Sequence, residues 1–369
     1  MLADLEELVV CESFSADHAA LARSAEVVGA LGARLLGAAA ETIVVDGVTH
    51  LRWTFGTPRV LLLGHHDTVW PVGSLETHPW SVADGIARGP GVLDMKAGLV
   101  QMFHALASLP SPEGVCVLVN GDEEIGSPTS RELIEEAARG CAATFVLEAS
   151  ANEEGALKTA RKGTSRYEVV VHGKAAHAGL EPHRGINAAV EAAHQVLAVA
   201  GLGASAGAAG TGQVLGATTI TPTLMSAGST LNTVPALARI SVDVRAPTLA
   251  AQDRTDELMR ALTARTPGAR LTVRGGRKRP PMEPESSAEL FALASRIASE
   301  LGQEPLRGVA VGGASDGNFT AAAGCPTLDG LGAVGSGAHA DTEHVQVARM
   351  IPRTRLLAQL VARTLVTPA

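Results

Sequence analysis

The chain has 369 residues, 46% of them apolar and only 3% aromatic, so it is long enough for two domains with cores built of Ala, Val and Leu rather than rings. Its formal charge of −8 at pH 7, with no long basic run, argues against a nucleic-acid partner. No stretch reads as a membrane span, the acidic start (Asp4, Glu6, Glu7) is wrong for a secretory leader, and the four scattered cysteines (Cys11, Cys116, Cys141, Cys325) suit reduced thiols in a cytoplasmic protein.

In chain order, residues 2–9 and 19–31 have the apolar spacing of helices, and 41–55 reads as a hairpin turning at Asp46-Gly47. Three short apolar runs follow, each ending in polar residues. Residues 60–64 run into His65-His66-Asp67, 115–119 into Asn120-Gly121-Asp122-Glu123-Glu124, and 144–147 into Glu148. Uninterrupted apolar runs of this length suit strands buried on both faces of a sheet. A helical stretch at 96–109 between two of them predicts strand–helix–strand units and a mostly parallel sheet. From 166 the pattern changes. Residues 166–172 alternate like a half-exposed strand, 186–200 is helical, 213–222 and 237–245 are strands, 252–265 is a helix and 270–273 a strand. That β-α-β-β-α-β order predicts a ferredoxin-like α+β unit. The Ala/Gly-rich 196–212 reads as a helix end entering a loop, and 275–284 as a linker back. A helix at 288–301, a strand at 326–331 and a helix at 351–365 resume the first domain. The expectation is an α/β domain of residues 1–163 and 277–369, interrupted by a lid or dimerisation domain at 164–276.

The polar clusters stand at the carboxyl ends of the predicted strands, where open α/β sheets bind ligands. His65 and Asp67, two apart at a strand end, share a face, so Asp67 can orient the imidazole of His65; His66 points the other way. Asp94 lies in a Gly-rich turn opening a helix, Glu123 and Glu124 are adjacent so that only one squarely faces a given ion, and His339 lies in a late Gly-rich loop. So many carboxylates at one edge repel each other unless cations neutralise them. Imidazoles mixed with carboxylates suit zinc or a similar transition metal better than magnesium or calcium.

Four motifs together resemble one group of zinc exopeptidases and deacylases: His65-His66-Asp67-Thr68-Val69, Gly89-Pro90-Gly91-Val92-Leu93-Asp94-Met95-Lys96-Ala97-Gly98, Asp122-Glu123-Glu124-Ile125-Gly126-Ser127 and Gly312-Gly313-Ala314-Ser315-Asp316-Gly317. That group contains glutamate carboxypeptidase, succinyl-diaminopimelate desuccinylase, acetylornithine deacetylase and aminoacylase. The resemblance, strongest to the glutamate carboxypeptidases, implies two Zn²⁺ ions per subunit, with Co²⁺ or Mn²⁺ as substitutes. His65, Asp94 and Glu148 would hold one, Asp94, Glu124 and His339 the other, with Asp94 bridging. It further implies that Glu123 is the general base, that Asp67 supports His65, and that His177 reaches the active site of the partner subunit in a homodimer. Asn232, Arg245 and Gly313 fall at substrate-contacting positions, while Ala314 departs from the Thr that several relatives carry. The implied reaction is hydrolysis of an amide beside a free α-carboxylate, releasing a C-terminal amino acid, with a glutamate-like residue as candidate. The alternatives are deacylation of an N-acyl amino acid and, in another class, non-catalytic binding of amino acids or peptides. The intact ligand set and Glu123 disfavour the last.

Overall fold

The computed structural model describes residues 1–207 and 215–366. Two helices, α1 (Leu2–Val10) and α2 (His18–Leu36), precede the hairpin β1 (Glu41–Val45) and β2 (Val48–Thr54). There follow β3 (Val60–His65), short β4 (Ser81–Ala83) and β5 (Ile86–Arg88), α3 (Ala97–Ala107), β6 (Val115–Asn120), α4 (Arg131–Ala138), β7 (Ala143–Val146) and β8 (Leu157–Arg161). The middle of the chain forms β9 (Gly163–His172), α5 (Ala188–Gly207), β10 (Thr219–Ala227), β11 (Leu237–Ala246), α6 (Leu249–Arg260) and β12 (Arg270–Arg279). The last part holds α7 (Ala288–Glu300), β13 (Gly308–Val311), α8 (Gly317–Ala322), β14 (Thr327–Leu328), β15 (Gly335–Ser336), β16 (His344–Gln346) and α9 (Val347–Val366).

Two compact units result. The first comprises Met1–Ala160, Glu283–Val311 and Ser315–Ala369, and the second Arg161–Met282 with Gly312–Ala314. These limits lie a few residues from 163/164 and 276/277. The first unit is built on a six-stranded sheet in the order β1-β2-β6-β3-β7-β14. β3 pairs in parallel with both β6 and β7, and β14 in parallel with β7; β2 joins β6 antiparallel. Every residue of β3 and β6 is buried. Their side chains alternate between two cores: Val60, Leu62, Val115 and Val117 pack with α2, α3 and α9, while Leu61, Leu63, Cys116 and Leu118 pack with α4 and Phe319. This two-sided burial explains the unbroken apolar runs, and each fully buried Leu or Val contributes about 1.5–3 kcal/mol. Because β6 and β7 flank β3 on opposite sides, their connections diverge and the carboxyl ends of all three strands open on one crevice.

The second unit has an antiparallel sheet in the order β10-β11-β9-β12, the strand order of a ferredoxin-like β-α-β-β-α-β unit. Tyr167, Val169 and Val171 of β9 face its core, and the alternate Arg166 and Glu168 do not. Three expectations need correction. Residues 275–279 are not a linker but the continuation of β12, which passes a bulge between Arg277 and Arg279. Gly275, at φ +86, allows this, since a Cβ there would meet the Arg166 carbonyl oxygen at 2.2 Å. The helix expected to reach 265 ends at Arg260, and the strand expected at 326–331 pairs only at Thr327–Leu328. Positions 208–214, which take in the end of the loop expected at 196–212 and the start of the strand expected at 213–222, lie outside the described residues; the helix before them runs to Gly207 and the strand after them is Thr219–Ala227. No helix among the described residues is long and apolar enough to cross a membrane.

Candidate metal centre

Parallel pairing delivers the polar residues to one place. His65 ends β3 opposite Asn120 of β6, so the turn carrying Glu123 and Glu124 starts beside it. Glu148 follows β7 on the other side. Its approach is close: a Cβ on either Gly98 or Gly332 would sit 2.1 Å from the Leu147 carbonyl oxygen. Asp94 arrives on the loop between β5 and α3, where the Asp94–Met95 peptide is cis and the sulfur of Met95 accepts the His65 backbone N–H at 3.3 Å.

The side chains converge. The Nε2 atom of His65 stands 3.2 Å from Asp94 Oδ1 and 3.6 Å from Glu148 Oε1. The Nε2 atom of His339 stands 3.4 Å from Asp94 Oδ2 and 3.0 Å from Glu124 Oε2. Asp94 therefore presents one carboxylate oxygen to each imidazole. Ligand atoms of His65, Asp94 and Glu124 lie within 4.8 Å of one another, as do those of His65, Glu123 and Glu148. On its other side His65 is fixed, Nδ1 lying 3.0 Å from the Asp67 carbonyl oxygen and 3.3 Å from Asp67 Oδ1. His66 faces elsewhere, its ring nitrogens taken by Ser24 Oγ and the Thr49 carbonyl oxygen, and burial pushes its pKa down to about 4.

The electrostatics call for cations. Burial opposes a charge on His65, yet Asp67, Asp94 and Glu148 raise its pKa well above the ordinary imidazole value. Asp94 and Glu124 raise that of His339 to about 10. Burial disfavours the charge of Asp94, but His339 and His65 hold its carboxyl far below the usual range, and burial lifts Glu124 to about 7. The cluster thus draws protons to neutralise itself. His65 Nε2, Asp94 Oδ1 and Glu124 Oε1 are buried with no hydrogen-bond partner among the described residues. Buried polar atoms left unpaired are costly, and two divalent ions would take up these atoms and replace the protons, so the residues fit a metal pair.

Those features agree with the comparisons. The sequence profile of peptidase family M20/M25/M40 matches residues 61–363. The chain belongs to this family. The M20 chain is 30% identical to carboxypeptidase G2 of Pseudomonas sp. (strain RS-16) over a 374-residue alignment covering 97% of it and 87% of the relative. It is 29% identical to the succinyl-diaminopimelate desuccinylase of Gluconacetobacter diazotrophicus over 322 positions, 83% of it and 81% of the relative. In fold it resembles the M20 metallo-carboxypeptidase Sso-CP2 of Sulfolobus solfataricus (TM-score 0.74, 17% identity, 98% of each chain). It also resembles a dinuclear metal-binding M20 peptidase of Bacillus subtilis (TM-score 0.68, 14% identity, 100% of this chain and 98% of that one). The M20 chain is a hydrolase of the metallopeptidase and amidohydrolase class.

The remaining candidates, His177, Asn232, Arg245 and Gly313, all belong to the second unit. His177 and Asn232 are neighbours, since the Asn232 carbonyl accepts the Ala178 N–H at 2.9 Å and His177 bridges to Thr233. The N–H groups of Gly179 and Leu180 point at His177 Nδ1, at 3.1 and 3.2 Å, which leaves the proton of the neutral ring on Nε2. The fork of Arg245 is engaged by Asp243, at 2.8 and 3.2 Å, and the Gly313 carbonyl accepts from Arg161 Nη1 at 3.0 Å.

Sequence reasoning missed several supports. Lys158 Nζ lies 3.8 Å from Glu148 Oε2. Asp316 accepts from Asn120 Nδ2 at 2.8 Å and from the Ser127 hydroxyl, anchoring the turn after Glu124. Glu343, 3% exposed, gathers four N–H donors around Asp94. Burial pushes its carboxyl above the ordinary range against the pull of those donors. An acidic residue immediately before a strand, four positions after His339, was the available signal. The nearer His339-x-Asp341 match is not a repeat of His65-x-Asp67, because Asp341 is exposed and faces His78 at 3.4 Å.

Proposed function

We propose that this M20 enzyme is a di-zinc carboxypeptidase that hydrolyses the amide bond next to a free α-carboxylate, with a glutamate-like C-terminal residue as the candidate leaving group. The observation that carries the reading is the double reach of Asp94, one oxygen to His65 and the other to His339, with Glu148 and Glu124 behind them. His65, Asp94 and Glu148 would hold one ion, and Asp94, Glu124 and His339 the other. Two such ions supply Lewis acidity and lower the pKa of water towards about 7. Glu123, with its carboxylate beside His65 and Glu148, takes a proton from the attacking water. As the water oxygen bonds to the carbonyl carbon and the C–N bond breaks, Glu123 returns the proton to the departing amine. Asp67 keeps His65 oriented with Nε2 towards the centre.

The second unit acts as a lid and dimerisation domain. His177, its proton on Nε2, donates to the carbonyl oxygen as charge develops there, across the interface of a homodimer. Asn232 and Gly313 contact the substrate, and Arg245 meets its carboxylate in exchange with Asp243. The four free cysteines, three of them buried, support a reducing, cytoplasmic setting.

A panel of dipeptides, N-acyl glutamates and their α-esters, assayed on chelator-stripped protein with zinc, cobalt or manganese restored, tests the reading. Release of C-terminal amino acids only with metal, and only from free α-carboxylates, is expected. Full turnover by protein shown to be metal-free by elemental analysis, or equal turnover of the esters, overturns it. Cleavage confined to N-acyl amino acids points to the deacylase chemistry named for the desuccinylase relative.

A further inference from the structure

Glu343 lies in none of the metal-ligand groups, yet its carboxylate is among the most heavily engaged near the centre. Oε1 accepts the N–H of Leu93 at 2.8 Å and of Asp94 at 3.0 Å. Oε2 accepts the N–H of Gly91 at 3.1 Å and the indole N–H of Trp70 at 2.6 Å. The three backbone donors belong to the loop that carries Asp94. Glu343 itself closes the loop that carries His339. That loop is held by consecutive turns, Ala340 N–H to the Gly337 carbonyl and Glu343 N–H to the Ala340 carbonyl, both at 2.9 Å. Gly337, at φ +83, permits the first, since a Cβ there would lie 2.7 Å from the Thr342 carbonyl carbon. The two loops also share a root. β16 pairs antiparallel with β5, His344 opposite Arg88, so one loop leaves the sheet where the other enters it. The pairing fixes their bases, and the carboxylate of Glu343 fixes their upper parts to each other.

We infer that Glu343 is a positioning residue that sets the spacing between Asp94 and His339, and so the affinity of the metal position those two share with Glu124. The inference rests on the metal-pair reading above. His65, on β3 with Asp67 behind it, and Glu148 stand outside the clasp, so the other metal position shares only the bridging Asp94 with it and keeps two donors that are supported separately. A glutamine at 343 is a sharp probe. Its oxygen accepts two N–H groups as before, but its NH₂ meets the other two donors head-on, with nothing to accept them.

The experiment titrates full-length, chelator-stripped protein with Co²⁺ alone, followed by the visible absorption of the bound ion and by calorimetry. Wild type is expected to take up two equivalents and His339→Ala one. Glu343→Gln should keep one equivalent within about threefold of wild type and bind the other about 10–100-fold more weakly, the usual cost of losing a group that orients a ligand. The double variant should hold its single equivalent as His339→Ala does, since both changes act on one position. If Glu343→Gln does not fold, Trp70→Phe decides in its place. Removing one of the four donors should weaken the same equivalent to a smaller degree and spare the other. Two equivalents bound as in wild type overturn the inference, and so does equal weakening of both, which marks a general loss of structure. A wild type that takes up no Co²⁺ fails the metal-pair reading itself, a result distinct from either.

Discussion

The carboxylate of Asp67 accepts the backbone N–H of Glu123 through Oδ1 at 3.1 Å, while Oδ2 accepts the N–H of Glu124 at 3.2 Å and the Ser15 hydroxyl at 2.7 Å. The same side chain, fully buried, stands 3.3 Å from His65 Nδ1. One carboxylate therefore aims an imidazole and anchors the start of the turn that places two glutamates. This joins the end of β3 to the turn after β6. Asp67→Asn presents an NH₂ to donors and is expected to lower metal affinity about 10–100-fold and to lower kcat as well. Metal titration alongside steady-state kinetics checks this, and an unchanged affinity with only KM altered speaks against the double role.

Glu123 and Glu124 are adjacent but not equivalent. Glu124 approaches His339 at 3.0 Å, and Glu123 groups with His65 and Glu148. Glu123→Gln should retain both metals while kcat falls by about 10²–10⁴-fold, the range for loss of a general base. Glu124→Gln should lose one metal equivalent. Elemental analysis of the two variants decides, and the opposite pattern reverses the assignments.

Asp4 ties three helices together. On α1, it bonds Arg34 of α2 at 2.8 Å and His104 of α3 at 2.6 Å, with the terminal amine of Met1 at 3.3 Å. Burial opposes its charge, but His104, Arg34 and the amine hold its carboxyl below the ordinary range. A carboxyl with a depressed folded-state pKa stabilises the fold above its unfolded value, near about 3.9, and loses that contribution as pH falls through the folded value. Asp4→Asn should thus lower denaturant stability at pH 7, and the gap from wild type should narrow below about pH 4. A gap independent of pH shows that the effect is packing rather than charge.

The assignment of His177 to the partner subunit's reaction makes a stoichiometric prediction. His177→Ala should bind metal normally and turn over slowly, since losing one oxyanion donor costs about 2.7–4 kcal/mol. Heterodimers of His177→Ala with Glu123→Gln, formed by dissociation and reassembly and confirmed by mass, should regain part of the activity, because one of their two sites has both groups intact. Mass-verified heterodimers as inactive as both parents rule out action in trans.

The sequence by itself determined the buried strands β3, β6 and β7, the crevice edge they share and the chemistry of the donors at it. Apolar runs such as residues 60–64 and 115–119 are legible because both faces of β3 and β6 are buried, and the polar residues that end them mark where burial stops. In β9 the buried Tyr167, Val169 and Val171 alternate with exposed Arg166 and half-buried Glu168, as the spacing indicated, although Val170 on that second face is buried as well. What only the tertiary structure decided are relationships made by backbone groups and by long separations. Asp94 and Glu343 are 249 positions apart and meet through a backbone N–H, a donor that every residue but proline carries, so the side chain of Asp94 does not advertise the pairing. The fork of Arg245 turned out to face Asp243, two residues away on its own strand, which the resemblance that marked Arg245 as a substrate contact did not disclose. Residues 275–279 joined β12 because the pairing partner, β9, supplies carbonyls and N–H groups that override a local sequence of Gly, Arg and Lys. Periodicity reports which side of an element is dry; which partner completes a hydrogen bond is fixed only when distant backbone is brought within about 3 Å.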